Sequence, residues 1–314
     1  MSAPLALHLV AGAGVLVVRG TDTWSFLQSL VSQDLDPLSA GAGAHSLLLS
    51  PEGRLVADFR VLCVGDEEAW LDTAPGVAPA LVEGLRRFLI RVDVALDDRS
   101  GAWGALVVRG DAARDVVAAQ LGVAVEDRRH AHTAWGEGRV VSAAWPGDPG
   151  VDVLAPVEAL GRARDQLRAT GVAELDEDGL EARRIVAGVP RQGRDVDDRT
   201  IPQEARLHTD AVSFTKGCFV GQELVCRIDR RGANTPRHLE GVRVEGETVP
   251  PPGATLWSGG DEVGVVTSSA THQAHGVVAL AMVRRSLSVP ADVDVRWPGH
   301  TPRAHVLPLP GEAS

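Results

Sequence analysis

A seven-residue phrase occurs twice in this chain, as Gly14-Val-Leu-Val-Val-Arg-Gly20 and again as Gly104-Ala-Leu-Val-Val-Arg-Gly110. Each run of β-branched and aliphatic residues reads as a strand, and each closing glycine reads as a turn. An Asp follows each phrase, and then apolar residues at helical spacing. In the first copy Trp24, Leu27, Leu30 and Val31 share one face of such a helix, and Thr21 or Asp22 is placed to cap it. A strand–turn–helix unit stated twice fits a duplicated α+β body, because one unit alone cannot bury its apolar face.

The remaining pattern fills in that body. Strands are expected at 46–49, 55–64, 69–72, 92–95, 139–144 and 151–154, with helices at 78–88, 157–170 and 180–187. Pro190 and Gly193 end the last helix. From about His238 the texture changes to short strands separated by turn residues, including Gly259-Gly260-Asp261. That spacing predicts a small antiparallel barrel or sandwich. The chain of 314 residues therefore divides into parts at 1–100, 101–178, 179–237 and 238–314.

Charge and composition narrow the function. A net charge of −11 disfavours a broad nucleic-acid or membrane-surface role. No Lys or Arg precedes Arg19, and no apolar run approaches the ~20 residues of a membrane span, so a cytoplasmic protein is expected. Cys63, Cys218 and Cys226 are too few and too oddly numbered for a disulfide framework. His130-Ala-His132 and His272-Gln-Ala-His275 have spacings that zinc sites sometimes use, but neither has a second pair of Cys or His ligands nearby, so they read as loop histidines and no metal is expected.

Positive charge is concentrated in one region. Residues 183–237 hold 11 basic and 7 acidic residues, net +4, so the other residues carry −15 of the total −11. Such an island points to a localised anionic ligand, with Arg227, Arg230, Arg231 and Arg237 as candidates for its carboxylates. Within the island lies the only lysine, Lys216, against 30 arginines. A titratable, compact ammonium differs chemically from a guanidinium, which singles the position out. The segment Lys216-Gly-Cys-Phe-Val-Gly-Gln-Glu223 sets a lysine, a thiol, an amide and a carboxylate within eight residues. A strand at 212–214 and a helix at 220–228 would place Cys218 just before a helix N-terminus. There the dipole and Lys216 would both favour thiolate. Gly217 and Gly221 would admit close backbone approach. Cys63 and Cys226 read as core residues.

This octapeptide resembles the signature Lys-Gly-Cys-Tyr-x-Gly-Gln-Glu of the YgfZ family, a branch of the glycine-cleavage T-protein-like proteins, with Phe219 in place of Tyr. Arg227 and Arg231-Gly-Ala-Asn234 resemble the continuation, and Glu181-Ala-Arg-Arg-Ile-Val-Ala-Gly-Val-Pro190, Ile201-Pro-Gln-Glu204 and Phe26-Leu-Gln-Ser-Leu-Val-Ser-Gln-Asp34 are similar to further family segments. The resemblance implies a three-part ring, two interleaved α+β parts and a C-terminal antiparallel β-barrel, around a channel for tetrahydrofolate with or without a polyglutamate tail. It also implies support of iron–sulfur client proteins or their assembly factors, with Cys218 as the functional thiol, Lys216 and Asp58 as further catalytic candidates, and folate contacts from Gly217, Phe219, Gly221, Gln222, Glu223, Glu204, Arg184 and Arg227.

Two other functions fit the residues. T-proteins carry a catalytic acid in a Gly-Gly-x-x-Asp-Asp pattern, and here the matching stretch is Gly53-Arg-Leu-Val-Ala-Asp58. Asp58 survives, while Arg54 and Ala57 depart from the pattern and count against folate-dependent aminomethyl transfer. A docking scaffold that binds no folate would need neither Asp58 nor Cys218.

Overall fold

A computed structural model describes residues 3–232 and 234–310. The first half runs β1 (Ala6–Ala11), β2 (Gly14–Arg19), α1 (Thr23–Leu30), β3 (Gly43–Leu49), β4 (Leu55–Gly65), β5 (Glu68–Thr73), α2 (Ala78–Arg86) and β6 (Ala95–Asp98). The second continues through β7 (Trp103–Arg109), α3 (Ala113–Leu121), β8 (His132–Trp135), β9 (Gly138–Ser142), β10 (Gly150–Pro156), α4 (Val157–Arg168), β11 (Ala173–Glu174) and α5 (Glu177–Val186). A 3-10 turn (Pro202–Ala205) and the helices α6 (His208–Ala211) and α7 (Gln222–Asp229) lead to a closed barrel. Its strands are β12 (Arg237–Val244), β13 (Thr255–Ser258), β14 (Asp261–His272), β15 (Gly276–Arg284), β16 (Ala291–Arg296) and β17 (Arg303–Leu307).

The repeated phrase forms β2 and β7, and a helix follows each. β2 lies between β5 and β6 in a five-stranded sheet ordered β3-β4-β5-β2-β6, and β7 lies between β1 and β10 in a six-stranded sheet ordered β11-β1-β7-β10-β9-β8. The duplicated α+β body is thus realised as two sheets, and a closed barrel stands where the short-strand pattern begins. One boundary differs from the sequence division. β1 does not join the strands of residues 14–98 but pairs antiparallel with β7, Ala6 opposite Arg109 and Ala11 opposite Gly104. Residues 12–13 turn the chain out of one sheet and into the other, and Leu7 is buried with Leu106 and Val108 in the second core.

Local details also depart from expectation. Asp22 occupies the cap position of α1 but makes no capping bond; its carboxylate accepts from the Asp93 amide at 2.8 Å instead. Asp176 caps α5 by accepting from Gly179 N at 2.8 Å, which starts that helix at Glu177 rather than near 180. No strand forms at 212–214: α6 ends at Ala211, and Ser213 N makes a single backbone bond, to Ser32 O. Among the described residues no helix is long and apolar enough to cross a membrane.

Candidate functional site

The two sheets and the start of the chain's third part enclose a cavity of about 890 Å³, within the usual range for a small-molecule site. β1, β4, β5, β7 and β10 supply its walls, and α5 with residues 189–194 closes one side. Gln192 fastens this side as a strand would. Its amide donates to Val56 O at 2.9 Å, and its carbonyl accepts from Asp58 N at 2.8 Å.

Charged side chains tie the sheets together across the cavity floor. Arg60 on β4 pairs with Asp72 on β5 and with Asp152 on β10 (2.8 Å), and Asp152 also meets Arg109 of β7 at 2.8 Å. Arg109 is 2 % exposed, and its guanidinium lies 4.2 Å from the ring centre of Trp145. The matching arginine of the other phrase, Arg19, has the opposite fate, pairing on the surface with Glu68 and Asp97. Burial works against charge on Asp152, but the two guanidinium groups outweigh it and hold this carboxyl below its usual range.

Asp58 stands in the cavity wall. Its Oδ1 lies 2.5 Å from His45 Nε2, and His45 Nδ1 lies 3.1 Å from Asp210, which in turn pairs with Arg129 at 2.7 Å. Burial disfavours an imidazolium here, but Asp58 and Asp210 on either side more than compensate and raise His45 to about 9. His45 is therefore charged at neutral pH and donates to both carboxylates. Asp58 Oδ2 has no hydrogen-bond partner among the described residues. His130 also lines the cavity; it is 8 % exposed, and both its ring nitrogens are buried without a partner. Burial, with Arg60, Arg129 and His45 nearby, depresses it to about 3, so it is neutral.

Arg184 faces the cavity too, but all five of its N–H donors are used within the protein. They reach both Glu181 oxygens (2.7 and 3.0 Å), Asp195 (2.7 Å), Val189 O and Ser268 Oγ (2.8 Å). The expected folate contact is thus a clamp between α5 and barrel strand β14. Glu204 is likewise committed, accepting from Ile201 N at 3.1 Å and from Arg237 at 2.9 and 3.2 Å.

The octapeptide lies elsewhere. Among the described residues none of Lys216 to Glu223 lines the cavity. Lys216 Nζ donates to Gln28 O (2.7 Å), Val31 O (2.8 Å) and Gln33 O (2.9 Å), closing the C-terminal end of α1. Burial lowers its ammonium to about 8, against the pull of Asp34 and Asp36, so it stays charged at neutral pH. Phe219 is buried beneath that ammonium, 5.6 Å from ring centre to Nζ. Gly221 has φ +80°, and a Cβ there would lie 2.4 Å from Ser50 O. Close approach is indeed why a glycine is needed, but the partner is the turn at 50–53 and not a ligand. Gly217 and Cys218 are exposed. Helix α7 begins at Gln222, so Cys218 lies four residues ahead of it rather than at its first turn, and the ammonium expected beside the thiol serves α1 instead. Gln222, Glu223 and Arg227 line a separate groove on α7. Cys226, expected in the core, is half-exposed in the same groove, while Cys63 is buried as expected.

Of the expected site residues, the cavity therefore contains Asp58 and Arg184. Sequence reading missed His45 and Asp210, which lie 165 positions apart, and Gln192. His130 was visible as a histidine pair but gave no sign of its burial. Among the described residues no cluster of His, Cys, Asp and Glu could hold a metal ion.

Comparison with known proteins bears on the family and the fold. Residues 7–216 match the GCVT N-terminal domain, and residues 237–311 match the glycine cleavage T-protein C-terminal barrel domain. An aminomethyltransferase of Mycobacterium avium is 29% identical over 93% of this chain and 79% of its own length. Another from Rippkaea orientalis is 27% identical over 91% and 81%. The crystal structure of the glycine cleavage system aminomethyltransferase T from Bartonella henselae superposes with a TM-score of 0.86, covering 98% of this chain and 86% of that one at 20% identity. At that identity the superposition speaks for the fold.

Proposed function

Since the chain belongs to the glycine-cleavage T-protein family, we propose that it binds tetrahydrofolate in the cavity between its two sheets and carries out folate-dependent one-carbon transfer there, with Asp58 as the acid–base group. The observation that carries this reading is the carboxylate of Asp58, held through one oxygen by a charged His45 while the other oxygen is free in the cavity wall. The cavity suits a folate in three ways: its volume, its mixture of apolar strand residues with a few fixed polar groups, and the unpartnered nitrogens of the neutral His130.

Tetrahydrofolate supplies the amine nitrogens that accept the one-carbon unit. The protein orients and shields. Asp58 takes up and returns a proton at its free oxygen. His45 keeps the carboxylate aimed by donating to its other oxygen, and Asp210 with Arg129 fixes the imidazole from behind. The departure at Ala57 costs the site little. Its side chain points away from Asp58 into the core of the first sheet, fully buried with Phe59 and Val61, as strand alternation requires. Arg54 sits on an outer turn and donates to Arg199 O.

Calorimetric titration with tetrahydrofolate tests binding, and turnover with an aminomethylated lipoyl carrier tests transfer. Asp58→Asn should fold normally and lose transfer by roughly 10²–10⁴-fold. Undiminished turnover in that variant would remove Asp58 from the mechanism. A second reading, support of iron–sulfur proteins through Cys218, is favoured by the exposure of that thiol within the YgfZ-like octapeptide. It requires Cys218→Ala to abolish function in cells while Asp58→Asn leaves that function intact.

A further inference from the structure

The positive island of residues 183–237 resolves into two populations. Most of its arginines are neutralised, whether buried or exposed: Arg183 by Asp148, Arg184 by Glu181 and Asp195, Arg206 by Glu240, and Arg237 by Glu204. Arg191 and Arg194 lie beside Glu181, and Arg199 pairs with Asp197. Lys216 is enclosed by carbonyls. Three members are left. Arg227, Arg230 and Arg231 make no ion pair with a carboxylate and no side-chain hydrogen bond among the described residues, and all three line the same groove of about 580 Å³.

Their positions on α7 and in the turn that follows its last residue, Asp229, explain the grouping. Residues 223, 226, 227, 230 and 231 are spaced at three and four and so form one stripe. The opposite face is fixed inward, with Val225 fully buried and its carbonyl accepting from Gln203 at 2.9 Å. The excess charge of the region is therefore displayed outward along the last turn of α7 and the residues that follow it, on a protein that is strongly negative elsewhere.

We propose that the groove formed by α7 and the turn after it is a docking site for an acidic segment of a partner protein. Charge complementarity selects the occupant. Three unneutralised guanidinium groups in a shallow, open groove favour carboxylates presented along an extended chain, and the overall negative charge of the protein repels an acidic partner from other approaches. Glu223, at one end of the stripe, is the only acid lining the groove among the described residues and opposes such a ligand.

Fluorescence anisotropy with a labelled hexaglutamate peptide tests the proposal. Binding at low salt should weaken steeply as salt rises, and Arg227→Ala/Arg230→Ala/Arg231→Ala should weaken it by about tenfold or more. Glu223→Gln should tighten it, an effect that a merely structural role would not produce. Arg86→Ala/Arg162→Ala, which removes exposed arginines elsewhere, should leave it unchanged, and tetrahydrofolate titration should be unaffected by any of these variants. Absence of binding at low salt, or equal loss in the control variant, overturns the proposal. So does tighter binding of a single-stranded oligothymidylate to the same arginines, which would make the face a nucleic-acid site.

Discussion

Lys216 is the residue for which sequence and structure suggest different experiments. If its ammonium serves chemistry, Lys216→Met should leave a stable protein that does not work. If it closes α1, the same change should damage stability. Nζ donates to three carbonyls at 2.7–2.9 Å, two of them, on Gln28 and Val31, belonging to the end of α1. A hydrogen bond to a charged group contributes about 1.5–3 kcal/mol. Three bonds sharing one half-buried ammonium do not add fully, so the set is expected to contribute about 2–4 kcal/mol. Methionine keeps the apolar stem over Phe219 and removes only the donors, which isolates that contribution. Melting should fall by roughly 3–6 °C for a chain of 314 residues. Lys216→Arg should fall in between, because a planar fork cannot meet three carbonyls arranged about one point. Urea unfolding followed by tryptophan fluorescence gives the stability, and tetrahydrofolate titration below the transition gives the function. An unchanged unfolding midpoint with lost folate binding would refute the capping role and return Lys216 to the chemistry.

Two further predictions concern the same frame. Gly221→Ala should destabilise by about 2 kcal/mol or more, since it combines a left-handed backbone with a collision at Ser50 O, whereas Gly217→Ala, whose Cβ would meet nothing within 4 Å, should change stability by less than about 0.5 kcal/mol in the same urea assay. Stability should also fall on both sides of pH 6.5. His45 rises to about 9 on folding, so its contribution is complete below about 6.5 and is lost as pH climbs towards 9; His130 and His132 are depressed to about 3 and 4, so the unfolded chain gains protons they refuse as pH drops below 6.5. Each group contributes a slope of up to about 1.4 kcal/mol per pH unit. His45→Gln should flatten the alkaline limb and leave most of the acid limb, which burial of His130 and His132 chiefly sets, and an unaltered alkaline limb would contradict the assignment.

Much of the frame was legible because it is written in local pattern. The twin phrases announced β2 and β7, the apolar stripe at Leu27 and Leu30 announced α1, and the turn-rich spacing after His238 announced the barrel. Asp58, singled out through resemblance to a motif, lies in the cavity wall. What stayed hidden depends on distance along the chain. No periodicity reports that β1 leaves its neighbours for β7, that a glutamine at 192 extends β4, or that His45 is gripped by an aspartate 165 residues away. Closeness in sequence did not place the octapeptide's residues in one pocket, for a physical reason. Reactive residue types in close sequence suggest a reactive centre, yet here the lysine closes a helix, the phenylalanine packs beneath it and the second glycine makes room for a neighbouring turn.

The placement of β1 has a consequence for synthesis of the protein. Its partner β7 is not complete until Arg109, about a hundred residues later. At ~5–20 residues per second, the ribosome takes roughly 5–20 s to cover that stretch. During that interval an apolar strand carrying Leu7 and Leu9 has emerged while the strand that will cover it does not yet exist. The five-stranded sheet, whose members all lie between Gly14 and Asp98, can close in the meantime. Nascent chains should therefore pass through a stage in which one half is folded and the first strand is still waiting, a moment at which a chaperone would find its handle at the N-terminal end.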